Sequence, residues 1–177
     1  MDRRKQLDAL CADMTAHDVG YPKRIQHFIK VSAFAALIAR EEGLDEHTQF
    51  LLEAVGYIHD IGIRLAEQKF GYQNGKLQEE LGPEAARKML EKNGFEASDI
   101  DRMCWLVAHH HSYDDIQGDD YQILVEADFL VNLMERGSDR ETCRVTYDKY
   151  FKTEAGKRIC RTMFLEDRGF ELPRKDG

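Results

Sequence analysis

Residues 54–62 read AVGYIHDIG, and this stretch decides the fold. The apolar Val55 and the polar His59 stand four residues apart, which is the spacing of one face of an α-helix. We therefore predict a helix from about Glu46 to Asp60. Its last two residues are a histidine and an aspartate at positions that should point inward.

The same helical period continues on both sides of this stretch, with prolines and glycines at the expected helix ends. We predict helices around Leu7–Met14, from Pro22 to about Gly43, from Pro83 to Gly94, around Ile100–Val107, from about Tyr121 to Glu135, and one or two more between Arg140 and Phe170, with a frayed tail PRKDG. Residues 62–78 show no clean period and are predicted to form a long loop. No strand pattern is found, so the predicted fold is all-α, with residues 1–177 in one domain.

Composition excludes several classes of protein. The chain has 177 residues, 42% of them hydrophobic, and a formal net charge of −8. An acidic surface does not favour binding of a long nucleic acid, which requires basic groups. No apolar run is long enough to cross a membrane or to act as a signal peptide, so we expect a cytoplasmic protein. Four cysteines without a C-x-x-C pair do not indicate a zinc knuckle.

Four polar residues lie on otherwise apolar helical faces: His27, His59, Asp60 and Asp128. A buried carboxylate is costly unless it is paired, hydrogen-bonded or bound to a cation. Two inward carboxylates would also raise each other's pKa. A divalent cation removes both problems, and two imidazoles with two carboxylates suit several first-row metals. An inward histidine taken alone is more often a hydrogen-bonded core residue than a ligand, and Asp128 alone could be paired with a lysine or an arginine. The metal interpretation depends on the order and the helical contexts of all four residues together.

The order and surroundings of these residues resemble the HD superfamily of metal-dependent phosphohydrolases. The matching segments are RIQHFIKV, AVGYIHDIG, LVAHHH and LVEADFLVN, and each follows the family pattern. The resemblance covers a core of about 22–135, with a C-terminal helical extension over 138–170. It implies an HD-domain helical bundle that holds one divalent cation on His27, His59, Asp60 and Asp128. It does not choose among Mn, Co, Ni, Fe, Mg and Zn.

Departures from the family pattern concern a second metal. Dinuclear members carry a further histidine where this chain has Gln78 and Glu79 in KLQEELGPEAA. Glu79, His109 and His110 are therefore candidates for a second metal or for phosphate binding, although a second ion is not expected. His111 is predicted to be exposed. Many relatives have a lysine after the His-Asp-Ile-Gly stretch, where Ile63 and then Arg64 stand here.

The resemblance implies hydrolysis of a phosphate ester, and a small phosphorylated molecule, with a nucleotide first, is the expected substrate. Asp60 is the candidate catalytic residue because it could orient the attacking water. Lys30 and Arg64 are weaker candidates for substrate binding, and Phe70, Tyr72 or Tyr113 could stack on a base. One alternative is a sensor that binds metal and nucleotide without turnover. Another is a dinuclear iron oxygenase, which Gln78 argues against.

Overall fold

The computed structural model describes residues 2–167, and within them every regular element is helical, so the all-α prediction is confirmed. The α-helices are α1 (Arg3–His17), α2 (Pro22–Glu41), α3 (Glu46–Gly56), α4 (Gly62–Phe70), α5 (Gly75–Lys92), α6 (Ala97–Val107), α7 (Asp119–Glu135), α8 (Arg140–Tyr150) and α9 (Glu154–Cys160), and α9 continues into a π-helical turn over Arg161–Leu165. The predicted tail PRKDG, like the end of the extension at Phe170, lies outside the described residues. No helix in the described part of the chain is long and apolar enough to cross a bilayer.

The bundle is organised around α2, which packs against both α3 and α7. Its buried face includes Phe28, Val31 and Ile38, all fully shielded from solvent. The crossing with α3 is very close, because a Cβ atom added at Gly56 would lie 2.4 Å from the Cα atom of Ser32. Glycine at position 56 thus lets the backbones of α2 and α3 approach each other, and this approach sets the spacing between His27 and His59.

The predicted loop over 62–78 is wrong, because residues 62–70 form α4 and α5 begins at Gly75. Gly71 ends α4 in the left-handed conformation with φ of 78°, and the Asn74 side chain caps α5 by accepting from the Leu77 amide. The intervening connection is therefore short. Sequence periodicity missed α4 because the helix has only nine residues, too few to establish a period.

Pro83 does not begin a helix as predicted, since it lies inside α5. A proline inside a helix lacks one backbone hydrogen bond, so sequence reasoning places it at a helix start. The packing of α4 on α5 accounts for the longer helix: an added Cβ at Gly62 would lie 2.6 Å from the Gln78 carbonyl oxygen and 2.9 Å from the Gly82 amide nitrogen. This close contact with α4 holds the turn of α5 that precedes the proline.

The predicted third helix also ends early, at Gly56 rather than Asp60. Backbone hydrogen bonds from Tyr57 to Ala54 and from Ile58 to Val55 tighten the chain into a turn over the next residues. Consecutive side chains on a continuous α-helix point about 100° apart. The turn allows His59 and Asp60, although adjacent in sequence, to face the same point.

Candidate metal centre

Three separate segments supply four side chains to one buried point. His27 comes from the first half of α2, His59 and Asp60 from the turn after α3, and Asp128 from the middle of α7. All four are buried, with relative exposures of 7%, 0%, 7% and 4% in that order. The four residues chosen from the sequence are therefore brought together by the fold.

The two histidines and Asp128 have the spacing of ligands on one ion, and Asp60 lies slightly farther away. The Nε2 atoms of His27 and His59 lie 3.3 Å apart. Asp128 Oδ1 is 3.1 and 3.5 Å from these nitrogens, and Asp60 Oδ2 is 3.9 and 3.7 Å from them. Two ligands bonded at about 2.1 Å with angles of 90–110° are separated by roughly 3.0–3.4 Å. His27, His59 and Asp128 are close to this spacing, and a shift of Asp60 Oδ2 by about half an ångström completes the set, so the donors fit a divalent cation.

The orientation of the imidazoles points to the same conclusion. His59 Nδ1 lies 3.0 Å from the Gly56 carbonyl oxygen, and His27 Nδ1 lies 3.0 Å from Glu135 Oε2. A carbonyl oxygen only accepts, so His59 Nδ1 carries the proton, and a carboxylate has the same effect on His27. The neutral rings then aim their Nε2 lone pairs at each other and at carboxylate oxygens. Such an arrangement of lone pairs requires a positive charge between them.

In the absence of a cation, a proton on His27 supplies part of that charge. Burial lowers the pKa of His27, but its hydrogen bond to Asp128, with Asp60 and Glu135 nearby, outweighs burial and raises the pKa to about 9. Burial would raise the pKa of Asp60, yet the neighbouring imidazoles of His59 and His110 hold it well below the usual range. The same balance, set by His27 and His59, lowers the pKa of Asp128.

A second group forms on the other carboxylate oxygen of Asp60. His110 Nε2 lies 2.9 Å from Asp60 Oδ1, and His111 Nε2 lies 3.4 Å from the same atom. The prediction that His111 is exposed is wrong, because its side chain retains only 23% exposure. The histidines follow the end of α6 in a turn, which allows His110 and His111 to face Asp60 together.

The two histidines of this second group differ in where their protons lie. His110 Nδ1 donates to the Val107 carbonyl oxygen at 2.9 Å, so its Nε2 faces Asp60 as the neutral rings above do. His111 Nε2 lies 2.5 Å from Gln78 Oε1, and its Nδ1 lies 3.2 Å from the Tyr113 hydroxyl. Since the amide oxygen of Gln78 only accepts, His111 Nε2 carries a proton. Gln78, where dinuclear relatives have a histidine, thus makes His111 a donor.

Two other candidates from the sequence lie outside these groups. His109 turns away from Asp60, because its Nδ1 lies 2.6 Å from the Trp105 carbonyl oxygen and its ring stacks on Trp105 at 4.2 Å. The Glu79 carboxylate accepts from the His111 amide at 3.1 Å and from the Ser112 hydroxyl at 3.2 Å. Glu79 therefore supports the turn over residues 108–111, which we call the histidine turn.

A cavity of about 620 Å³ opens onto His27 and Asp60, and we call it the metal cavity. Its cationic side chains are Lys23, Arg24 and Arg136. Arg24 is held in place by Asp18 at 3.0 Å and Glu67 at 2.7 Å.

Lys30 and Arg64, the two cationic residues chosen from the sequence, do not line the metal cavity. The Lys30 ammonium is paired with Glu135 at 2.5 Å, and Arg64 is not among the residues that line the metal cavity. A shift of one residue on helix α4 changes the direction of a side chain by about 100°. Ile63 accordingly lines the metal cavity, and Arg64, the next residue, does not.

Sequence reasoning missed two residues that orient the candidate ligands. Glu135 accepts from His27, and the Asn132 amide donates to Asp128 Oδ1 at 2.8 Å. Both follow Asp128 at helical spacing, four and seven residues later on α7. This spacing is the one feature of the sequence that could have indicated their role. The contact between Glu135 and His27, however, spans 108 residues of sequence and depends on the packing of α2 on α7.

Comparisons with known proteins agree with this geometry. The family model of the HD domain matches residues 24–148, so the chain belongs to this family of metal-dependent hydrolases. Among solved structures, the fold is similar to the crystal structure of a predicted HD superfamily hydrolase from an uncultured Thermotogales bacterium, with a TM-score of 0.60, 24% identity, and coverage of 90% of this chain and 83% of that one. No curated protein matches the chain.

Proposed function

We propose that this protein is a metal-dependent phosphohydrolase that cleaves a phosphate ester of a small molecule, with a nucleotide as the first expectation. The observation that carries the proposal is the convergence of His27, His59, Asp60 and Asp128 at the edge of the metal cavity. When bound there, a divalent cation supplies Lewis-acid polarisation and lowers the pKa of water.

The chain's own residues supply the other requirements of phosphoryl transfer. Lys23, Arg24 and Arg136 line the cavity and match the charge of a phosphate group. The two ion pairs of Arg24 fix its guanidinium before substrate arrives, so little order has to be gained on binding. Asp60 contacts the candidate ligand His59 through Oδ2 and the histidine turn, at His110, through Oδ1. We assign it to orient the attacking water.

We further propose one ion per chain rather than two. His111 Nε2 donates to Gln78 and is not free as a ligand, which leaves Asp60 and His110 alone at the second group. Elemental analysis that gives two ions per chain would contradict this assignment and would place the second ion at Asp60 Oδ1.

The test is release of phosphate from a panel of nucleotides and sugar phosphates with manganese, cobalt, nickel and magnesium. Wild-type protein should release phosphate from at least one compound, and Asp60→Asn should lower the rate by about 100-fold or more. Asp101→Asn is the matched control, because Asp101 is an exposed aspartate paired with Arg87 on the outside of α6. Equal rates for Asp60→Asn and wild type would reject the assignment of Asp60.

The sensor alternative uses the same site and predicts a different result. It expects saturable binding of a phosphorylated ligand in the presence of metal, with no product on any compound. Binding without turnover across the panel would replace the hydrolase proposal with that alternative.

A further inference from the structure

A second cavity, of about 530 Å³, lies directly beside the metal cavity. Its walls include the aromatic rings of Trp105, Tyr113, Tyr121 and Tyr150, so we call it the aromatic cavity. Its volume is in the range of ordinary small-molecule sites. Nothing in the assigned chemistry of the metal centre uses it.

The two cavities share a wall made of His111 and Tyr113. The wall is held from both sides: His111 contacts Gln78 and Asp60, while the Tyr113 ring packs on Phe129 and Tyr150, each at 5.1 Å between centroids. The two cavities therefore adjoin each other, with Asp60 on one side of this wall and the aromatic rings on the other.

The two cavities differ in their charged side chains. The metal cavity has three cationic side chains beside the carboxylates of Asp60 and Glu135, whereas none of the described residues that line the aromatic cavity is a lysine or an arginine. The aromatic cavity instead has the carboxylates of Asp114 and Asp115 and the amide of Gln117. An anionic group is therefore disfavoured there. A flat ring that presents N–H donors is favoured, since the aromatic side chains form an apolar wall and carboxylates accept from N–H groups.

The backbone that forms the floor of the aromatic cavity is fixed before a ligand arrives. The Tyr121 hydroxyl contacts the carbonyl oxygens of His109 and Ser112, so it ties the histidine turn to α7. The His109 ring stacks on Trp105 with an interplanar angle of 18°. These contacts explain why His109, although part of the histidine trio, belongs to the aromatic cavity rather than to the metal centre.

We propose that the aromatic cavity is the base-binding subsite of this chain and that it takes a nucleobase with adjacent N–H donors, of which guanine is the best match. This proposal rests on the proposed function for the phosphate end of the substrate. Guanine presents a ring N–H next to an exocyclic amino group, and the pair matches a carboxylate such as Asp115, whose Oδ2 atom would exchange its contact with the Gln117 amide, at 2.8 Å, for one with the base. The phosphate of the same nucleotide would lie in the metal cavity, near Lys23, Arg24 and Arg136.

The test uses the fluorescence of Trp105, which is the chain's single tryptophan and lines the cavity. Full-length protein, kept metal-free with a chelator, is titrated with guanosine, inosine and ribose. Guanosine should change the fluorescence in a saturable manner. Inosine, which lacks the exocyclic amino group, should bind about tenfold more weakly, and ribose should have no effect.

Two variants make the result specific. Asp114→Asn with Asp115→Asn should weaken guanosine binding by about tenfold or more, because a hydrogen bond to a charged acceptor is lost. Asp119→Asn removes one carboxylate charge from an exposed position in the first turn of α7, outside the cavity, and should leave the affinity unchanged. No saturable change with guanosine, or equal affinities for guanosine and inosine, would overturn the proposal.

The experiment needs neither metal nor a phosphate group, so its failure is separate from failure of the proposed function. Phosphate release without nucleoside binding would leave a hydrolase with a different substrate and would remove the base-binding subsite. Nucleoside binding without phosphate release would keep the subsite and remove the hydrolase.

Discussion

Replacement of Asp128 by asparagine should remove the effect of metal on thermal stability. A ligand that binds only the folded state stabilises it by about 2.7 kcal/mol when its free concentration is 100 times the dissociation constant. For a domain of about 150–250 residues, 1 kcal/mol shifts the melting temperature by about 2–4 °C. Wild-type protein should therefore melt about 5–11 °C higher with such a concentration of manganese than with chelator.

The substitution keeps the size of the side chain but removes the charge of one candidate ligand. Asp128 Oδ1 contacts both ligand histidines, at 3.1 and 3.5 Å, so a neutral amide there should weaken binding strongly. The manganese-dependent shift of the variant should fall below about 2 °C.

Differential scanning fluorimetry with and without chelator measures both shifts. Asp101→Asn, with its exposed carboxylate, should keep the full wild-type shift. An equal manganese-dependent shift in Asp128→Asn and in wild type would refute the reasoning, because the ion would then be bound elsewhere.

Three further predictions follow from individual contacts. Glu135→Gln should weaken metal binding by about 10- to 100-fold, measured by competition with a fluorescent chelator, because Glu135 orients His27; an unchanged affinity would rule out that role. Gly56→Ala should lower the free energy of unfolding in urea by about 1–3 kcal/mol, since the new Cβ would lie 2.4 Å from the Ser32 Cα atom; a change within about 0.5 kcal/mol would show that α2 and α3 separate freely. In metal-free protein, the raised pKa of His27 means that its protonated form adds stability that is complete below pH of about 6.5 and is lost as pH rises through about 9. Urea unfolding across this range should show that loss in wild type and not in His27→Gln, and parallel curves would contradict it.

The convergence of the four candidate ligands could be predicted from the sequence because its signal is local. His27 and Asp128 are polar residues on apolar helical faces, and a helical period is visible within a few turns. The shared direction of the His59 and Asp60 side chains was harder to predict, because on a continuous helix the two would point about 100° apart. Only the turn after Gly56 aims both at one point.

The rest of the site depends on contacts between distant segments, which a period cannot show. Glu135 reaches His27 across the packing of α7 on α2. Gln78 reaches His111 only because α5 extends back through Pro83 to Gly75. The sequence analysis missed this contact because it predicted a loop over 62–78 and a helix that begins at Pro83. The same error hid the position of His111, whose burial depends on this extra length of α5.

The central claim is that His27, His59, Asp60 and Asp128 together bind a divalent cation. Anomalous diffraction from crystals loaded with manganese tests it most directly. The account predicts one strong peak within about 2–2.5 Å of the two Nε2 atoms and of a carboxylate oxygen from each aspartate. A manganese peak away from these four residues, or none after full loading, would contradict the account.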